Sequence, residues 1–138
     1  MKKIVTESES MNFYYLGVSS TAKDILLITK INAELDYQFF YSTNLKVQIS
    51  KDELEEFNVF KNADFEESDQ KIAIVEAKNQ NVFLFPKLKQ MDYLIVANFP
   101  IQNLKATLNQ IQVVNIIFDV DLKILKERTK DIEKLFWV

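Results

Sequence analysis

The sequence predicts an α+β two-layer sandwich: an antiparallel or mixed sheet with two main helices mostly on one face, closest to a ferredoxin-like variant with extra strands. Three observations lead there. The candidate elements run strand, helix, several strands, helix, strand, which contains a β-α-β-β-α-β string. Two stretches carry apolar residues at helical spacing, while the others alternate or stay apolar without interruption. No internal repeat, low-complexity tract or Pro/Gly/Ser-rich linker divides the chain, and its 138 residues suit one domain. Residues 1–11 are mostly polar and read as a flexible tail, leaving 12–138 as a single domain.

Phe13-Tyr14-Tyr15-Leu16-Gly17-Val18 is aromatic and β-branched, the composition of a buried strand. Thr21-Ala22-Lys23-Asp24 has the capping-box pattern and opens a helix over residues 22–35. Its stripe is Ile25, Ile28, Ile31 and Leu35, and Leu26 with Leu27 widens it, so much of the circumference is expected to be covered. Tyr37, Phe39, Phe40 and Tyr41 follow as a dense aromatic cluster. Leu45-Lys46-Val47-Gln48-Ile49 then alternates as a half-buried strand does. Phe57 to Phe60 predicts a short strand inside an acidic stretch, since residues 51–69 hold eight acids against two lysines. That stretch reads as a solvated loop-and-edge region.

Lys71–Ala77 and Val82–Phe85, joined by Lys78-Asn79-Gln80-Asn81, form the best hairpin pattern. Met91 to Ala97 is nearly continuous in apolar residues and predicts the central strand. Pro100 opens a second helix, where its missing N–H costs nothing, with Ile101, Leu104, Leu108 and Ile111 as the inward stripe. Val113 to Val120 is a further strand, and Asp121 caps a short terminal helix. The chain ends in four large apolar residues, Leu135, Phe136, Trp137 and Val138.

Composition excludes several chemistries. There is no Cys, hence no thiolate nucleophile or disulfide, and no His, hence no imidazole base or Ser-His triad. Gly17 is the sole glycine, which rules out phosphate-cradling loops that need several. No cofactor motif is present. The net charge of -3 and the single Arg128 make nucleic acid an unfavoured partner, because bidentate phosphate or base recognition relies on Arg. Lys, Ile, Asn and Phe make up 52 of the 138 residues, a bias toward A/T-rich codons that weakens any functional reading of the missing Arg. The N-terminus lacks an apolar signal core, and runs such as Ile25–Ile28 are too short to cross a bilayer. The expectation is a soluble cytoplasmic protein with no membrane association.

Phe85-Pro86-Lys87-Leu88-Lys89-Gln90-Met91-Asp92-Tyr93 resembles the signature of an uncharacterised bacterial family, known mainly from Bacteroidetes and named for its Ile-Pro-Glu-x-x-x-Val-Asp-Tyr motif. Pro86, Asp92 and Tyr93 match; Phe85 and Met91 are apolar replacements; Lys87 stands where the family has its Glu. The resemblance implies a soluble bacterial domain of this size and supplies no catalytic residue.

Two accounts of that motif compete. In the structural one, Pro86 ends the hairpin, Asp92 accepts turn N–H groups, and Tyr93 buries its ring while its hydroxyl finds a partner. In the functional one, Asp92 is an acid or base, Tyr93 a donor, and Lys87 or Lys89 holds an anion. The structural account is favoured, because no second carboxylate is obviously paired with Asp92. The aromatics Tyr37, Phe39, Phe40 and Tyr41 read as core or interface before ligand pocket. Asp119 and Asp121 are too few oxygens for a divalent ion. The apolar end must be covered, and if extended it would show Leu135 and Trp137 on one side, Phe136 and Val138 on the other, which predicts a homodimer with the tail at the contact. The expected function is a non-enzymatic protein-interaction domain that self-associates; the alternative is a binding module for a small apolar or anionic ligand.

Overall fold

In the computed structural model, which describes residues 12–126 and 128–136, eight strands and several short helices form an α+β fold. The strands are β1 (Tyr14–Ser20), β2 (Phe39–Ser50), β3 (Glu53–Asn62), β4 (Ile72–Glu76), β5 (Lys78–Asn79), β6 (Val82–Phe83), β7 (Tyr93–Ala97) and β8 (Val114–Asp119). The helices are α1 (Asp24–Glu34), α2 (Lys105–Asn109), α3 (Leu122–Leu125) and α4 (Thr129–Glu133), with single 3₁₀ turns at Gln102–Leu104 and Lys134–Phe136. Six strands make one sheet in the order β2-β3-β4-β7-β1-β8, antiparallel at every neighbouring pair, and β5 with β6 forms a small separate hairpin.

β7 is central, as its unbroken apolar run predicts, lying between β4 and β1 with all five residues buried. The strand period of two divides its side chains between two cores. Tyr93, Ile95 and Ala97 face the side covered by α1 and α2, where Leu27, Ile28, Ile31, Ile101 and Leu108 pack. Leu94 and Val96 face the other side, closed by Leu84, Phe85, Met91, Leu125, Ile132 and Phe136. The two main helices therefore share one face, and loops with short C-terminal helices close the second.

Gly17 of β1 is required by close approach. It stands opposite Phe118 of β8, and a Cβ there would come within 2.4 Å of the Phe118 ring. The aromatic ring occupies the space a side chain would take.

Several expectations are corrected. Thr21 caps nothing: α1 begins at Asp24 after Lys23, which makes no side-chain cap bond. Ile25 is 74% exposed and Leu26 is also exposed, so the buried stripe is only Leu27, Ile28 and Ile31. The rotation of α1 is set by polar pins at its two ends, Asn58 Nδ2 to Asp24 Oδ2 at 2.9 Å and Asn32 to the backbone of Phe39. β3 is a ten-residue interior strand, not a short segment in a loop, because Glu53, Glu55 and Glu56 sit on a strand paired with β2 along its length. The Lys71–Ala77 run pairs with β3 and β7, and the true hairpin is only β5–β6, turning at Gln80 with a positive φ of 57°.

Leu135 and Phe136 of the apolar end are likewise not extended. Lys134–Phe136 forms a 3₁₀ turn, and Phe136 is 1% exposed within its own chain. Its ring meets Phe13 edge-on at 5.1 Å and Phe65 at 5.2 Å. Three rings far apart in sequence thus bury Phe136. Phe136 is buried within its own chain, Leu135 packs at the margin of the same core, and Trp137 and Val138 lie outside the described residues. The N-terminal segment 1–11 lies outside them as well.

Phe136→Ala should lower the unfolding free energy by about 3–5 kcal/mol, the cost of emptying an aromatic core position. Urea denaturation followed by circular dichroism checks it; a loss below about 1 kcal/mol contradicts the packing described here.

Candidate functional site

The motif Asp92-Tyr93 opens β7 and grips the connection between β1 and α1. Asp92 Oδ2 accepts from Ser20 N at 2.8 Å, and the Tyr93 hydroxyl donates to Ala22 O at 2.9 Å. The Ser20 hydroxyl donates to Val113 O at 2.6 Å and accepts from Ala22 N at 3.1 Å. The Asp92 backbone donates to Val18 O and accepts from Ala77 N, continuing the ladder one residue beyond the strand. These bonds fix the backbone of Ser20 and Ala22 on either side of Thr21, and α1 starts only at Asp24.

Beside this brace lies an open depression of about 430 Å³, rimmed by Thr21, Lys78, Gln80, Asp92 and Tyr93. It includes neither Lys87 nor Lys89. Lys89 instead lies 5.9 Å from the Phe83 ring, and Pro86 and Lys87 are exposed in a pair of tight turns closed by Leu88 N to Phe85 O and Met91 N to Leu88 O. The anion-holding lysines of the functional account are therefore not brought to Asp92. Burial pushes the Tyr93 hydroxyl well above the usual phenol range, and the carboxylates of Asp24, Glu76 and Asp92 push it further. A phenol held so firmly neutral, with its proton committed to Ala22 O, serves as a hydrogen-bond donor and not as a base.

Glu76 belongs to the same neighbourhood. Its Oε1 accepts from Asn58 N at 3.3 Å. Burial raises its carboxyl above the ordinary value; the Asn58 bond opposes this, and Asp24 adds to it.

The aromatics Tyr37, Phe39, Phe40 and Tyr41 do not share one pocket. Phe39 is core, with Tyr37 half-buried against it at 5.7 Å. Phe40 and Tyr41 are 59% and 57% exposed on β2, the edge strand, and Tyr41 meets Phe60 edge-on at 6.0 Å. Alternation turns Phe40 away from Phe39, while Tyr41 shares the Phe39 face but lies beyond the covered part of the core. Asp119 pairs with Lys105 at 3.2 Å, and Asp121 caps α3 by accepting from Lys123 N at 2.9 Å. No group of three or more metal-ligating side chains occurs among the described residues.

A larger groove, about 610 Å³, lies between the start of β1 and helices α3 and α4. Phe13, Tyr15 and Leu122 supply its apolar surface, and Lys123, Lys126, Lys130 and Glu133 its charges. Tyr15 is 6% exposed, and its hydroxyl is buried with no hydrogen-bond partner among the described residues. Burial, with a contribution from Glu133, pushes this phenol up, and burial also raises the Glu133 carboxyl while Lys130 pulls it down. Sequence reasoning missed this groove: its walls come from opposite ends of the chain, and neither segment carries a local motif.

No helix among the described residues is long and apolar enough to cross a membrane. Neither protein-family models nor curated proteins yielded a match to this chain.

Two outcomes test the brace. Tyr93→Phe should cost about 1 kcal/mol, the net worth of its hydroxyl bond, and Asp92→Asn a similar amount, since an amide oxygen still accepts from Ser20 N more weakly; equilibrium denaturation measures both. Glu76→Gln should raise the thermal midpoint at neutral pH. A carboxyl raised by folding contributes stability while protonated and loses it as pH rises through the raised value, so the variant's advantage should vanish as pH falls below the ordinary 4.5. An advantage independent of pH contradicts this.

Proposed function

We propose that this chain is a non-enzymatic interaction domain that self-associates through the outer edge of β2, forming a homodimer. The observation that supports it is the edge itself. β2 is twelve residues long, pairs among the described residues only with β3, and carries Phe40 and Tyr41 exposed. An unpaired strand edge is a template for a further strand, and natural proteins protect such edges with charge, proline or bulges. β2 has no Asp, Glu or Pro, one Lys46, and irregularities near Tyr41 and Gln48. Its Phe39 end is already closed by Asn32, whose side chain bonds both backbone groups of Phe39 at 2.8 and 3.1 Å. The remaining length is open. Antiparallel pairing of two β2 strands about a two-fold axis is self-complementary and closed, so it yields a dimer and not a fibre.

In this reading the contact is the outer edge of β2 and not the tail itself. The chain is further read as a cytoplasmic bacterial protein of the Ile-Pro-Glu-x-x-x-Val-Asp-Tyr family. What supports the family reading is that Asp92 and Tyr93, the two polar matches, perform a shared bracing task that favours keeping both residues.

Light scattering at high micromolar concentration should give the mass of a dimer for the full chain, and that of a monomer for Phe40→Lys/Tyr41→Lys. Both positions are exposed, so the variant should keep its fold. A monomeric full chain, or a dimer untouched by the double substitution, overturns the proposal.

A further inference from the structure

We propose that the groove between β1 and helices α3 and α4 is a binding site for a single-chain amphipathic anion, a carboxylate on an apolar tail, taken up from solution. This goes beyond self-association and concerns another surface.

Three observations carry it. The first is Tyr15, which lines the groove and whose hydroxyl is buried without a partner among the described residues. A buried hydroxyl that bonds nothing costs stability comparable to a lost hydrogen bond, and Phe would fill the same space without that cost. A ligand oxygen accepting from it removes the penalty. The second is charge. Three ammonium groups, Lys123, Lys126 and Lys130, stand around the groove against one carboxyl, Glu133. Glu133 lies in the field of Lys130, which leaves Lys123 and Lys126 in excess. An anionic head is favoured over a cationic one. The third is shape and surface. About 610 Å³ is room for a chain of medium length, and Phe13, Tyr15 and Leu122 offer it apolar contact. Leu122 is exposed although large and apolar, as expected of a residue that a ligand covers. A wholly polar anion such as phosphate would leave that surface wet.

The probe is decanoate, titrated calorimetrically and by amide chemical shifts. The full chain should bind it with a dissociation constant on the order of tens of micromolar, with shifts concentrated at Phe13, Tyr15 and residues 122–133. Decyltrimethylammonium, which keeps the chain and reverses the charge, should bind far more weakly. Tyr15→Phe should weaken decanoate binding about tenfold while its thermal midpoint stays equal or rises, since it removes an unpartnered hydroxyl. Lys123→Ala/Lys126→Ala, at exposed positions, should weaken it as well and tests the site even if Tyr15→Phe misfolds. The proposal is overturned if the full chain does not bind decanoate, if the cation binds equally, or if both variants bind unchanged. Sedimentation with phosphatidylglycerol vesicles in the absence of decanoate binding overturns it too, since the groove would then serve a membrane surface.

Discussion

The fold depends on one strand that has no exposed side. β7 gives Tyr93, Ile95 and Ala97 to one core and Leu94 and Val96 to the other, while its backbone pairs with β4 and β1. Such a strand tolerates no polar side chain along its length, because neither face offers water. Its entry point is consequently where polarity gathers. Asp92, half-buried just before the strand, and the hydroxyl of buried Tyr93 secure the β1–α1 connection, so the central strand also fixes where the first helix begins.

Features written in contiguous residues were legible from sequence. The unbroken Met91–Ala97 run, the Ile101/Leu108/Ile111 stripe and the Asp121 cap each declare themselves within a few positions, and each is where the periodicity puts it. The errors share a different cause. Thr21-Ala22-Lys23-Asp24 has the letters of a capping box, but Ser20 and Ala22 are held by residues some seventy positions away. Ile25 fits the helical stripe by spacing, yet Asn58 and Phe39 hold α1 in a rotation that leaves it in water. The cover for Phe136 comes from Phe13 and Phe65, far from it in sequence. Long-range partners chose among locally valid alternatives, and no local pattern encodes that choice.

The same division separates the two surfaces of interest. Around Asp92 the carboxylate Oδ2, the Ser20 hydroxyl and the Tyr93 hydroxyl each bond the backbone of the β1–α1 connection or its neighbours, which marks a support. At Tyr15 the bonding is incomplete within a wall of apolar and cationic groups. Two tyrosines on neighbouring strands, both driven to stay neutral by burial, thus differ in the one respect that matters for recognition: whether the proton already has somewhere to go.

The unequal pairing of β3 has a kinetic consequence. β2 accompanies it along its whole length, but β4 covers only Val59–Lys61, so the far half of the β2–β3 hairpin projects past the sheet, steadied chiefly by Asn79 Nδ2 on Glu56 O and by packing on one face. Backbone amides there can meet solvent deuterium by local opening, without disturbing β4, β7 and β1, whose amides exchange only when the whole molecule unfolds. Local opening is therefore expected to begin in the β2–β3 extension, ahead of the strands at the centre of the sheet.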